Sequence, residues 1–128
     1  MGSDRTQVSS GAPWEEQFGY SRAVRVDRFI IVSGTVGRNG DGSVPVGAYA
    51  QARRALEIIV GALAKAGAGP QHVVRTRTFA VDVGCFADVA RAHREVFAEV
   101  RPATSFVGVS ALLAPEWLLE IEADAIVD

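Results

Sequence analysis

Toward the end of the chain, Leu119, Ile121, Ala123 and Ala125 fall on alternate positions, with Leu118, Glu120, Glu122 and Asp124 between them. Successive strand side chains point to opposite faces, so this period of two predicts a strand over Leu118–Val127 with one apolar and one acidic face. The segment Thr104–Leu112 reads as a further strand, joined to it across Ala114-Pro115-Glu116. Tyr20–Val26 and Phe29–Gly34 form two β-rich runs separated by Asp27-Arg28, which predicts a hairpin. A strand is also expected over Val73–Val83. There Val73, Arg75, Arg77, Phe79 and Val81 share one face, and Val74, Thr76, Thr78, Ala80 and Asp82 the other.

Helical spacing replaces alternation in two places. Tyr49, Ala52, Leu56, Ile59, Val60 and Leu63 recur at intervals of three and four, predicting a helix from Ala48 to about Ala66 that stops at Gly67, Gly69 and Pro70. Phe86, Val89, Ala90, His93, Val96 and Phe97 predict a second helix over Phe86–Val100, ended by Pro102. Gly37–Ser43 reads as a loop, and Val44–Val46 as a short extra strand. Residues 1–13, rich in Ser, Gly and charge, are expected to be a flexible arm, and residues 14–128 a single domain.

The order is therefore β-β-α-β-α-β-β, an α+β chain whose mixed sheet carries both helices on one face. Ile30, Val32, Val73, Phe79 and Val81 place apolar residues on both faces of the strands. A sheet face that is apolar but uncovered argues for an oligomer.

Composition narrows the function. With 128 residues, 48% of them apolar, and a net charge of −2, the chain is long enough for one modest core and has no basic footprint for nucleic acid. No apolar run approaches the roughly 18 residues that span a bilayer. Cys85 is the only cysteine, so no intrachain disulfide is expected, and the start Met1-Gly2-Ser3-Asp4 lacks a leader pattern. A cytoplasmic protein without membrane or nucleic-acid partners is the expectation.

The candidate chemistry lies in polar groups on the inner strands. Glu120, Glu122 and Asp124 share a face that a subunit contact would cover, so they need cations or must shift their pKa upward; Arg75 and Arg77 are the natural partners. Glu120, nearest the Trp117 turn, is the candidate general acid or base. Ser33-Gly34-Thr35 at a strand end offers hydroxyls to a ligand or to an ordinary turn. Cys85 sits where a helix N-terminus could lower its pKa, but no base adjoins it in sequence. His93 reads as a hydrogen-bonded core histidine and His72 as part of a surface turn. Two distant histidines and one cysteine give no metal-ligand spacing, and no phosphate loop, dinucleotide fingerprint or nucleophile elbow is present, so neither metal nor cofactor is expected.

Taken together, Tyr20-Ser21-Arg22-Ala23-Val24, Val32-Ser33-Gly34, Val74-Arg75-Thr76-Arg77, Arg101-Pro102-Ala103-Thr104-Ser105 and Glu120-Ile121-Glu122-Ala123 resemble the RidA family, also called YjgF or L-PSP, over residues from about 14 to 127. The resemblance implies a chorismate-mutase-like fold assembled as a homotrimer around a barrel core, with small-molecule clefts between subunits. It also implies cofactor-independent hydrolysis of enamines and imines such as 2-aminoacrylate. By motif matching, Glu120 would handle the attacking water, and Tyr20, Ser33 and Thr104 would bind substrate.

Thr104 departs from the family pattern, which has an arginine there to hold the substrate carboxylate. A threonine cannot offer bidentate, charged recognition. Arg22, Arg75 and Arg77 are candidate compensating cations. Gly108 and Ala90 depart as well, where members often carry glutamate and asparagine. The expected function is a cleft protein that hydrolytically deaminates enamines or imines with an altered substrate. The alternative is a non-catalytic trimer that binds a metabolite; ribonuclease activity is disfavoured by the acidic balance and the lack of a catalytic histidine pair.

Overall fold

The sequence folds around one six-stranded mixed sheet; the structure, a computed structural model, describes residues 5–128. The strands are β1 (Arg5–Val8), β2 (Ala23–Val26), β3 (Phe29–Thr35), β4 (Val73–Ala80), β5 (Ala103–Gly108) and β6 (Leu119–Ile126), in the spatial order β1-β2-β3-β6-β4-β5. All neighbours are antiparallel except β4 and β5, which are parallel and joined through a helix. The helices are α1 (Pro13–Phe18), α2 (Ala48–Lys65) and α3 (Phe86–Phe97). The expected β-β-α-β-α-β-β order is present as β2 to β6 with α2 and α3.

Two elements are additions. Arg5–Val8, within the segment expected to be an arm, pairs with β2 as an edge strand, and Pro13–Phe18 forms a short helix closed by Gly19 at φ +87°. Residues 1–4 of that segment lie outside the described residues. Val44–Val46, expected as a strand, is loop. The hairpin turn does form, with Asp27 at φ +57°, a left-handed conformation that aspartate tolerates better than most side chains.

The core lies between the sheet and α2 and α3. Leu119, Ile121, Ala123 and Ala125 of β6 are fully buried, as the alternation requires, and meet Ala52, Ala55, Leu56, Ile59 and Leu63 of α2. Alanines on the α2 face let the helix lie close to the sheet, while each buried Leu or Ile contributes about 1.5–3 kcal/mol. On the opposite sheet face Phe29 and Ile31 remain 50% and 53% exposed, and no helix among the described residues covers them.

Two bulges modify the expected faces. On β4, Val73 pairs with Ala125 but Arg75 with Asp124, so one extra residue is inserted. Val73 is therefore buried with Thr76, Thr78 and Ala80, not on the face of Arg75 and Arg77 as strict alternation predicts; Val74 is extruded. On β3 the register slips between Val32 and Thr35, which puts both Ser33 and Gly34 opposite Glu122.

Gln51 of α2 ties this layer to the loops. Its buried side chain donates to the carbonyls of Pro45 (3.1 Å) and Glu116 (3.0 Å) and accepts from the amide of Leu118 (2.9 Å). The last contact fixes where β6 begins and thereby the height of Glu120.

Candidate active site

The β3 bulge builds the floor of a groove of about 1240 Å³, large enough for a small metabolite, at the end of the sheet where Glu120 enters β6. Glu120, Tyr20, Arg22, Ser33 and Gly34 all line it, beneath the α1 segment and Trp117. The Glu120 carboxyl lies against Gly34: a Cβ added there would stand 2.5 Å from its Oε1. Burial pushes the Glu120 carboxyl above the ordinary glutamate range, and Glu122 reinforces the shift, while Arg22 partly opposes it. The result is a half-buried carboxyl that exchanges its proton closer to neutrality than a solvated one.

Arg22 is the hub behind it. Only 4% exposed, it donates from Nη1 to the Gly34 carbonyl (2.7 Å) and Thr35 Oγ1 (2.9 Å), and from Nη2 to the Tyr20 hydroxyl (3.1 Å). Its Nε is buried without a hydrogen-bond partner, 3.8 Å from Glu15 Oε2. For Glu15 itself, burial raises the pKa, but hydrogen bonds from Ser10 and Ser9 and the charge of Arg22 together outweigh it, and the net shift is downward. Of the three candidate cations, Arg22 alone lines the Glu120 groove. The Ser33 hydroxyl donates to the Ser21 carbonyl (2.7 Å), so it offers a ligand its lone pairs.

Thr104 lies elsewhere in the chain. Strand β5 is the far sheet edge, and Thr104 opens into a separate depression lined by His93, Arg94, Phe97, Arg101 and Pro102. Its hydroxyl is 2.7 Å from Thr76 Oγ1, which in turn is 2.8 Å from His93 Nε2. Burial holds the His93 pKa below its ordinary value. His93 is thus a hydrogen-bonded histidine on the inner stripe of α3, but its bond belongs to a chain that ends at an exposed hydroxyl. Within one chain, the structure does not bring Thr104 into the groove of Glu120.

Arg75 and Arg77 lie on the open sheet face. Arg77 Nη1 bridges Glu122 Oε1 (3.0 Å) and Asp124 Oδ2 (3.5 Å), while Arg75 donates to Ser105 Oγ (3.0 Å) and, among the described residues, pairs with no carboxylate. His72 accepts the Gly69 amide through Nδ1 in a surface turn. Cys85 fits the reading of a thiol without a nucleophilic role: burial raises its pKa, and Asp82 and Asp88 add to the rise against its own backbone hydrogen bond, so the helix start does not activate it. Among the described residues, no three His, Cys, Asp or Glu side chains gather as metal ligands, and no helix is long and apolar enough to cross a membrane.

Residue reading missed two features beside these groups. Gly34 is needed for its lack of a side chain against Glu120, a need hinted at by Ser-Gly at a strand end. Arg101 flanks Thr104 but appears in the sequence only as the start of a motif.

Fold and site together define a mixed-sheet α+β domain with a groove of mixed polar and apolar lining, holding a half-buried carboxyl, at the end of its central strand. Residues 12–127 match the family described as Endoribonuclease L-PSP, and the chain belongs to this family, the RidA or YjgF family. It is 38% identical to the uncharacterized protein SCO2049 of Streptomyces coelicolor over 93% of this chain and 90% of that one. It is 35% identical to mouse 2-iminobutanoate/2-iminopropanoate deaminase over 84% and 80% of the two chains. Among solved structures, Rv2704 of Mycobacterium tuberculosis, a member of the YjgF/YER057c/UK114 family, superposes with a TM-score of 0.88 at 46% identity, covering 97% of this chain and 100% of that one.

Proposed function

We propose that this chain is a cofactor-independent hydrolase of small imines or enamines, working as a homotrimer in which the Thr104 edge of one subunit faces the Glu120 groove of the next. The observation that carries this reading is the Glu120 carboxyl, half-buried against Gly34 with a raised pKa and backed by Arg22 and Tyr20. The likeness to a protein named 2-iminobutanoate/2-iminopropanoate deaminase supports the reaction class.

In this reaction a water oxygen bonds to the C=N carbon, Glu120 takes one water proton, and the nitrogen gains one, giving a carbinolamine. Collapse of that adduct passes the hydroxyl proton to the nitrogen by way of Glu120 as the carbonyl forms and the C–N bond breaks, releasing ammonia. A carboxyl whose pKa burial has raised above the ordinary glutamate value is a better proton acceptor than a solvated one, and it can return that proton within one turnover. Assembly about the open sheet face is supported by half-exposed Phe29 and Ile31 beside the Arg77–Glu122–Asp124 cluster. Ammonia released in a system that generates 2-aminoacrylate tests the reading: the wild type exceeds the buffer rate and Glu120→Gln matches it.

A second reading, a trimer that binds a metabolite in the same cleft without catalysis, draws on Thr104. Its short neutral side chain already engages Thr76 and cannot clamp a carboxylate as a guanidinium does. It predicts ligand binding with no ammonia above buffer.

A further inference from the structure

Glu15 is a buried carboxylate that the hydrolytic step leaves unused. Only 8% exposed and not part of the groove lining, it is out of a substrate's reach, yet it stands directly behind Arg22. The Ser10 amide (3.1 Å) and hydroxyl (2.5 Å) both donate to its Oε2, and the same oxygen lies 3.8 Å from Arg22 Nε. Its backbone carbonyl accepts the amides of Gly19 (3.0 Å) and Tyr20 (2.9 Å). One residue thus anchors the turn that carries Tyr20 and sets a negative charge against Arg22.

The pairing differs from a clasp built for stability, in which two guanidinium donors meet one carboxylate in parallel. Here both Nη atoms serve the groove, reaching the Gly34 carbonyl, Thr35 Oγ1 and the Tyr20 hydroxyl. Nε faces Glu15 and is buried without a hydrogen bond. Coulomb attraction at that range needs no hydrogen bond, and burial strengthens it. The charges that shift Glu120 are Glu122, on its own strand, and Arg22. The other charged groups of the groove are engaged elsewhere: Arg54 pairs with Glu57 (3.2 Å), Lys65 donates to the Ser9 carbonyl (3.4 Å), and Arg38 lies over the Trp14 ring.

We propose that Glu15 is a positioning residue: by opposing the charge of Arg22 from behind, it keeps the Glu120 carboxyl basic enough to take a proton from water. The inference deepens the proposed function and rests on it for the reaction. An unopposed Arg22 would stabilise the Glu120 carboxylate and so weaken it as a base. Glu15 can oppose that charge because it stays ionised, its hydrogen bonds and Arg22 holding its pKa below the ordinary value.

The Glu120 carboxyl carbon, followed by NMR against pH in the full-length protein, tests the proposal without any substrate. Glu15→Gln, which keeps the shape and loses the charge, is expected to lower the Glu120 pKa by about half a unit or more. The acid limb of kcat/KM for imine hydrolysis should move down by the same amount, because that limb reports the free protein. Glu15→Asp, which keeps the charge, should restore most of the wild-type value. Ser10→Ala loosens the α1 segment and also keeps the charge, so it should lower the melting temperature and leave the Glu120 pKa in place. An unchanged Glu120 pKa in Glu15→Gln, or a fall in Glu15→Asp or Ser10→Ala equal to that in Glu15→Gln, overturns the proposal. In the wild type alone, the Arg22 Nε–H resonance should move as Glu15 is protonated; a resonance that ignores that titration overturns the proposal even where Glu15→Gln does not fold. If imine hydrolysis depends on Glu120 while Glu15→Gln moves neither the Glu120 pKa nor the acid limb, this inference fails and the proposed function stands. If the Glu120 pKa moves as expected but no imine is hydrolysed, the proposed function fails and the coupling of Glu15 to Glu120 stands.

Discussion

The carboxyl of Glu120 occupies the space that a side chain at Gly34 would need, with Oε1 only 2.5 Å from where a Cβ would stand. Gly34 does not have a positive φ, so its requirement is steric. Gly34→Ala is therefore expected to fold with the Glu120 carboxyl displaced, at a cost of about 1–3 kcal/mol from overpacking. Imine hydrolysis should fall at least tenfold, and a urea melt with an activity assay on the same sample checks both. Unchanged activity would mean that the carboxyl works from another position.

Glu120 and Glu15 should give opposite pH signatures. The raised pKa of Glu120 means that, as pH climbs from the ordinary value of 4.5 toward the folded value, the unfolded chain loses its proton first and stability falls. Glu120→Gln should thus gain stability over the wild type as pH rises through that window, and then hold the gain. The lowered pKa of Glu15 contributes stability that is present above 4.5 and lost as pH falls through the folded value, so Glu15→Gln should be the less stable protein at neutral pH. Urea midpoints for the three proteins between about pH 3 and pH 8 read both slopes. Parallel curves would remove the argument from burial.

Much of this was legible in the chain because period-two and helical patterns report which side of an element is buried. The alternation of Leu119, Ile121, Ala123 and Ala125 predicts the β6 core face correctly. The same rule misplaces Val73, since one residue inserted in the β4 ladder reverses the phase and leaves no mark in the apolar pattern. Arg5–Val8 carries no strong alternation, and its strand exists because the edge of β2 is there to pair with it. Glu120, Tyr20, Arg22 and Ser33 come together because β2, β3 and β6 are sheet neighbours. Thr104 is separated from them by strand order, which places β5 at the far edge; adjacency in a motif says nothing about adjacency in a sheet.

Gln51 carries the connection between α2 and the start of β6. Gln51→Leu keeps much of the volume but strands the Leu118 amide and the Pro45 and Glu116 carbonyls. The loss should be about 2–4 kcal/mol, with Glu120 less firmly placed. A thermal melt checks the first effect and the pH dependence of hydrolysis the second.

On the open sheet face, Arg77 is the cation shared by Glu122 and Asp124. Arg77→Met would leave two carboxylates unneutralised on the surface that the proposed trimer covers, which is unfavourable for burial. Sedimentation velocity over a dilution series should show the variant dissociating at concentrations where the wild type remains trimeric. Identical sedimentation would place the subunit contact elsewhere.

The most direct measurement is the decay of an imine generated in situ by an amino-acid oxidase and followed by its ultraviolet absorbance, with wild type, Glu120→Gln and buffer side by side. Wild-type protein should remove the imine faster than buffer, and Glu120→Gln should be indistinguishable from buffer. A Glu120→Gln protein as fast as the wild type, or a wild type no faster than buffer, would contradict catalysis by the Glu120 carboxyl.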